Sequence, residues 1–128
     1  MYAIVIDDSR AMRMILGRIV SQLGFEVLEA GDGRAALDLL ARSDEVPQLA
    51  LVDWNMPNMN GLEFVTAARS QGRLREMTLV MVTTESEHGH IVRALAAGAH
   101  EYVIKPFTTE AMIEKLALLG LAPTGATL

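Results

Sequence analysis

The chain has 128 residues, 51% of them hydrophobic and 21% charged, and 11 Lys+Arg against 16 Asp+Glu give a formal net charge of −5. That length fits one domain burying about two-thirds of its unfolded surface, with a globular rather than disordered composition. The lack of cysteine excludes disulfides and thiolate metal sites, and the acidic balance argues against a nucleic-acid surface.

The first apolar run, Tyr2–Ile6, predicts a strand ending in Asp7-Asp8. No basic region or small-residue cleavage site precedes it, so no signal peptide is expected. No apolar run approaches the ~20 residues of a membrane span, and the expected location is the cytoplasm. Met12, Ile15, Ile19 and Leu23 step by three, four and four, which places them on one face of a first helix that Gly24 terminates. A second strand lies at Glu26–Glu29, and the turn Gly31-Asp32-Gly33 leads to a helix carrying Ala36, Leu39 and Leu40. A third strand, Leu49–Val52, precedes a helix with Leu62, Val65 and Ala68 on one side. The fourth strand is Thr78–Val82. Its helix opens at Ser86 or Glu87, buries Ile91, Leu95 and Ala96, and ends at Gly98. The fifth strand, Tyr102–Ile104, leads to a helix capped by Thr108 or Thr109, with Met112, Leu116 and Leu119 on its inner side. Residues 121–128 have no periodicity and are expected to fray.

Strand and helix alternate five times, which predicts an α/β fold with a parallel sheet and helices on both faces. Function in such sheets collects at the carboxyl ends of the strands. There the chain places Asp7-Asp8 after the first strand and Asp53-Trp54-Asn55 after the third. Thr83-Thr84-Glu85 follows the fourth strand and Lys105-Pro106 the fifth. Asp7-Asp8-Ser9 by itself is an ordinary helix cap, Thr83 a strand-end hydroxyl and Lys105-Pro106 a turn. Together they make a pocket of three carboxylates flanked by a hydroxyl and an ammonium. Such a cluster takes up protons or binds a cation, and a small set of hard oxygen donors suits Mg²⁺. This is equipment for phosphoryl transfer: Asp53 attacks phosphorus, while Thr83 and Lys105 hold the phosphoryl oxygens.

These residues resemble the receiver domain of two-component response regulators, and most closely its stand-alone chemotaxis members. The stretches Asp53-Trp54-Asn55-Met56-Pro57-Asn58-Met59-Asn60-Gly61-Leu62-Glu63 and Lys105-Pro106-Phe107-Thr108 carry the likeness. The resemblance implies a flavodoxin-like (βα)5 fold with strand order 2-1-3-4-5, and a receiver domain over residues 1–120. Asp53 is then the phosphoacceptor. Asp8, Asp53 and the Asn55 backbone carbonyl ligate Mg²⁺, with Asp7 acting through water. Thr83 and Tyr102 form the switch, and Lys105-Pro106 is a cis peptide. Asn55 and Glu85 tune the phosphate lifetime, here toward fast loss. The implied partners are a sensor histidine kinase, a phosphatase, and a target protein on the face of the fourth helix, fifth strand and fifth helix. No nucleic acid or membrane is implied, and the unphosphorylated chain is expected to be a monomer. The domain promotes its own phosphorylation and dephosphorylation but turns over no separate substrate.

Some positions depart from the chemotaxis pattern. Asn60 stands where aspartate is common, and Thr84 where alanine is common. His88 replaces a lysine of the motor-binding face, whereas Ile91 and Lys115 match it. A phosphorelay intermediate, or a receiver used as a fixed docking module, is the alternative. A flavin binder on the same topology would need a Ser/Thr/Gly phosphate loop where Asp7-Asp8 stands. An aspartyl phosphatase would need an acid/base carboxylate where Asn55 stands. Trp54 is expected to be partly exposed beside the site. His88, His90 and His100 are expected on the surface, and Arg69, Arg73 and Arg75 in a solvated patch. Met12, Met56 and Met59 are expected near the site loops.

Overall fold

A computed structural model describes residues 1–122; of the tail expected to fray over 121–128, Leu121 and Ala122 instead pack against the core, with the Leu121 N–H on the Leu116 carbonyl at 2.8 Å, and the part from 123 onward lies outside the described residues. The elements run β1 (Tyr2–Ile6), α1 (Arg10–Gln22), β2 (Glu26–Ala30), α2 (Gly33–Arg42), β3 (Leu49–Val52), α3 (Gly61–Ser70), β4 (Thr78–Thr83), α4 (His88–Ala97), β5 (Glu101–Ile104) and α5 (Thr109–Leu118), with a 3₁₀ turn at Gly72–Leu74. All strand pairs are parallel and the sheet order is β2-β1-β3-β4-β5. The anticipated doubly wound order is therefore present.

Period-two alternation divides the core into two layers. Ile4, Ile6, Ala50, Val52, Leu79 and Met81 face one layer, with Ala36 and Leu40 of α2, Phe64 and Val65 of α3, and Ala94 of α4. Ala3, Val5, Leu49, Leu51, Val80 and Val82 face the other, with Leu16, Ile19 and Val20 of α1 and Met112, Ile113 and Leu116 of α5. β1 and β3 are central and read as unbroken apolar runs because both of their faces are covered.

The loops are built from ordinary caps. Ser9, Asp32, Asn60 and Thr108 each accept a backbone N–H at the start of their helices, which satisfies donors that a helix leaves open. Glu87 opens α4 without a side-chain cap bond. Gly24 and Gly98 take φ of +99° and +125° where α1 and α4 end.

Two helix faces differ from the periodic reading. Ile15 is 49% exposed, while Leu16, Ile19 and Val20 are the buried residues of α1. Leu95 is 43% exposed, Ala96 is exposed too, and only Ala94 of α4 is fully buried. Both helices carry apolar residues around more than half their circumference, so spacing alone does not choose the stripe. The rotation set by sheet packing does.

Candidate functional site

The site forms where β1 and β3 end side by side. Asp7 N–H donates to the Ala30 carbonyl at 3.1 Å, and Asp53 N–H donates to the Ile6 carbonyl at 2.9 Å. These bonds extend the sheet ladder by one step on each side of β1. They fix the backbone from which both carboxylates project.

Asp7, Asp8 and Asp53 each present a carboxylate oxygen, and these atoms lie within 4.8 Å of one another. Asp7 is 1% exposed and Asp53 is 8% exposed, whereas Asp8 faces solvent. Lys105 Nζ donates to Asp7 Oδ2 at 2.8 Å and stands 3.5 Å from Asp53 Oδ2. Asp7 Oδ1 accepts the Ser9 N–H at 2.9 Å. Arg13 donates to the Asp7 carbonyl at 2.6 Å and pairs with Glu29 at 3.1 Å. Burial pushes the Asp53 carboxyl above its ordinary range. The Thr83 hydroxyl and Lys105 oppose that rise, Asp7 adds to it, and the Trp54 backbone N–H opposes it.

Three carboxylates and one ammonium leave the pocket with an excess of negative charge. The donors are all hard oxygens, one solvent-facing and two buried, which fits a small divalent cation that keeps part of its water shell. Thr83 is fully buried at the end of β4, its hydroxyl favours the charged form of Asp53, and its Oγ1 accepts the Glu85 N–H at 3.3 Å. The Lys105–Pro106 peptide bond is cis, and Lys105 N–H donates to the Thr83 carbonyl at 2.9 Å.

Asn55 and Glu85 meet across the mouth of the pocket, Asn55 Nδ2 donating to Glu85 Oε1 at 2.8 Å. Tyr102 is buried, and its hydroxyl donates to the Glu85 carbonyl at 2.6 Å. Burial, with Glu85 and Asp53 nearby, raises the Tyr102 pKa. The ring thus already points inward. Thr84 is exposed and does not keep Tyr102 out.

Several expectations need correction. Trp54 is 8% exposed, not a partly open residue; its ring lies 5.0 Å from that of His90, and the Arg93 guanidinium stands 5.9 Å from its centre. Long side chains on α4 cover it, and nothing local to Asp53-Trp54 announces that cover. His90 is half-buried and its Nδ1 is 3.1 Å from Glu85 Oε2. His88 and His100 are exposed as expected, and His100 Nδ1 also accepts the Leu79 N–H at 3.1 Å. Arg73 and Arg75 are exposed as expected, whereas Arg69 is half-buried, and the Arg69 and Arg73 side chains are tied to backbone carbonyls. Arg69 donates to the carbonyls of Gly98 at 3.0 Å and Arg75 at 2.9 Å, and Arg73 donates to those of Leu40 and Ser43. They donate to carbonyls at or just beyond helix ends, where the ladder runs out of N–H donors. Met56 and Met59 pack against the α2–α3 side of the core, and Met12 against the α1–α5 side.

The residue signals missed in the sequence are of two kinds. Asn60-x-x-Glu63 is a readable capping box, and both of its bonds form, at 2.8 and 3.0 Å. Gly61 and His90 carry no local signal. Their roles arise from contacts with Asp53 and Glu85 that are distant in sequence or set by the loop path.

The relatives agree with this geometry. A sequence model of the response regulator receiver domain matches residues 3–117. The chain is 44% identical over 117 residues to a chemotaxis protein CheY homolog of Campylobacter jejuni, covering 91% of this chain and 89% of that protein. It is 42% identical over 120 residues to chemotaxis protein CheY1 of Helicobacter pylori, covering 93% and 96%. The structure of chemotaxis protein CheY4 of Vibrio cholerae superposes with a TM-score of 0.83 at 32% identity, covering 91% of this chain and 96% of that one. With a family match across most of its length and a shared fold, the chain belongs to the response regulator receiver domain family.

Proposed function

We propose that the chain accepts a phosphoryl group on Asp53 from a sensor histidine kinase, with Mg²⁺ bound, and signals by changing how a protein target binds it. The reading places it in the cytoplasm, in chemotaxis signalling, as its CheY-named relatives suggest. The unphosphorylated form is a monomer, and a phosphatase can act on the phosphorylated one. Among the described residues no helix is long and apolar enough to cross a membrane.

One observation carries the reading: three carboxylates, Lys105 and Thr83 converge at the carboxyl ends of four different strands. Asp7, Asp8 and Asp53, with the Asn55 backbone carbonyl, are the groups that would hold Mg²⁺. When bound, the cation neutralises charge on the transferring phosphoryl oxygens. Asp53 supplies the attacking oxygen. Lys105, already 3.5 Å from Asp53, pairs with one phosphoryl oxygen. The Thr83 hydroxyl turns toward another. Glu85 follows through its N–H on Thr83, and Tyr102 follows through the Glu85 carbonyl. The displacement reaches the face of α4, β5 and α5, where Val92, Leu95 and Ile104 are exposed. No separate substrate is turned over.

The test uses Trp54, the only tryptophan. Mg²⁺ is titrated while its fluorescence is followed, and beryllium fluoride is then added as an acyl-phosphate mimic. Intact mass after a small phosphodonor gives the acid-labile phosphate. The expected result is a Mg²⁺-dependent response and one phosphate, both lost in Asp53→Asn. A variant labelled as well as wild type defeats the assignment. Silence of the wild type in both assays supports a fixed docking module instead.

A further inference from the structure

His90 lies in the first turn of α4, outside the set of groups that hold or receive the phosphoryl group. Its Nδ1 is buried and makes no hydrogen bond of good geometry. Two carboxylates face it: Glu85 Oε2 at 3.1 Å and Glu87 Oε2 at 3.9 Å. The Glu87 side chain is 82% exposed and free to remain in water. Glu85 is half-buried, and its other oxygen already accepts Asn55 Nδ2. The His90 ring is itself held against Trp54. Trp54, His90, Glu85 and Asn55 therefore close a circuit around the mouth of the Asp53 pocket, since Asn55 follows Trp54 in the chain.

We propose that His90 is a positioning residue for loss of the phosphoryl group from Asp53, acting by pinning the Glu85 carboxylate against Asn55. The proposal rests on the phosphoacceptor reading of Asp53. Asn55 holds one Glu85 oxygen, and the imidazole edge packed 3.1 Å from the other blocks the swing of the carboxylate, so that one acceptor faces a water at the mouth. In hydrolysis that water oxygen bonds to phosphorus, and the bond from phosphorus to the Asp53 oxygen breaks. Asp53 returns to a carboxylate, and both water protons leave on the released phosphate. A water placed by fixed groups reacts faster than one placed by mobile groups. The effect is exerted through Glu85 and not by contact of His90 with the phosphoryl group.

The experiment loads wild type and variants with phosphoramidate and Mg²⁺, removes the donor, and follows acid-labile phosphate by intact mass. His90→Ala is expected to slow the decay about three- to tenfold, the scale of one lost positioning contact. His90→Asn puts an amide nitrogen near the Nδ1 position and restores most of the rate, whereas His90→Gln reaches past it and does not. In a Glu85→Ala background, His90→Ala has no further effect. Unchanged or faster decay in His90→Ala overturns the proposal, as does an equal effect with and without Glu85. A wild type that takes no phosphate overturns the phosphoacceptor reading, and the proposal falls with it. A labelled wild type beside an indifferent His90→Ala overturns the proposal alone.

Discussion

Gly61 is the first residue of α3, and its N–H donates to the Trp54 carbonyl at 2.8 Å. A Cβ there would stand 2.2 Å from the Asp53 carbonyl oxygen, 2.9 Å from its carbon and 3.0 Å from Met81 Cε. Carbon and oxygen normally approach to about 3.3 Å, so Gly61→Ala forces a displacement of about 1 Å. Met81 can yield, being the end of a flexible side chain. The Asp53 carbonyl cannot do so cheaply, because Asp53 N–H is tied to Ile6 at 2.9 Å. Overpacking of this kind costs about 1–3 kcal/mol. The better helix propensity of alanine offsets part of that, leaving a net loss of about 1–2 kcal/mol. At roughly 3–5 °C per kcal/mol for a domain of this size, the shift is readily measured. If Asp53 is the phosphoacceptor as proposed, a 1 Å misplacement of it is also expected to slow phosphorylation by about 100-fold. Urea unfolding and the rate of labelling by phosphoramidate read the two effects separately. Gly72→Ala is the control, since a Cβ there meets nothing within 4 Å. A Gly61→Ala protein as stable and as quickly labelled as Gly72→Ala would show that the close approach to Asp53 carries no cost.

Lys105→Met keeps the apolar stem but leaves Asp7 and Asp53 without their shared cation, and breaking a buried pair in this way costs about 3–5 kcal/mol. The Asp53 pKa, already raised, rises further without Lys105, so the native state binds protons that the unfolded chain releases. The variant's deficit therefore widens as pH rises above the ordinary carboxylate range, and Mg²⁺ narrows it. Urea midpoints across that rise with and without Mg²⁺ measure both trends, and a deficit independent of pH and Mg²⁺ contradicts the account. His100 must stay neutral at Nδ1 to accept the Leu79 N–H, and burial together with Arg69 holds its pKa below the usual 6.5. A depressed pKa gives stability that is present above the unfolded value and lost as pH falls toward the folded one. Melting temperatures should therefore show wild type losing ground to His100→Asn, which retains an acceptor that does not titrate, as pH drops below about 6.5. Parallel curves for the two proteins are the contrary result.

The legibility of this chain varies with how local each cause is. Leu49–Val52 reads as a central strand because a segment covered on both faces must be apolar throughout, and it is so placed. Thr108 reads as a cap because its hydroxyl serves an N–H three residues on. Ile15 and Leu95 fit the inner face by spacing yet lie exposed, because each helix offers two adjacent apolar stripes and only docking on the sheet selects one. The carbonyl partners of Arg69 and Arg73 are not legible locally because these acceptors, Gly98 and Leu40, lie about thirty positions away in either direction.

The candidate site divides in the same way. Its carboxylates, Thr83 and Lys105 were visible in sequence because each sits at the end of an apolar run, and a parallel sheet brings all such ends to one edge. That follows from strand direction and needs no side-chain detail. What the sequence could not express is which groups close over that edge: His90 on Trp54 and Glu85, and the bare backbone of Gly61 against Asp53. These depend on loop paths and helix rotation, settled only when both core layers pack at once. Strand order and the acidic pocket follow from local pattern and strand direction, whereas the cover and bracing of that pocket follow from packing between segments far apart in the chain.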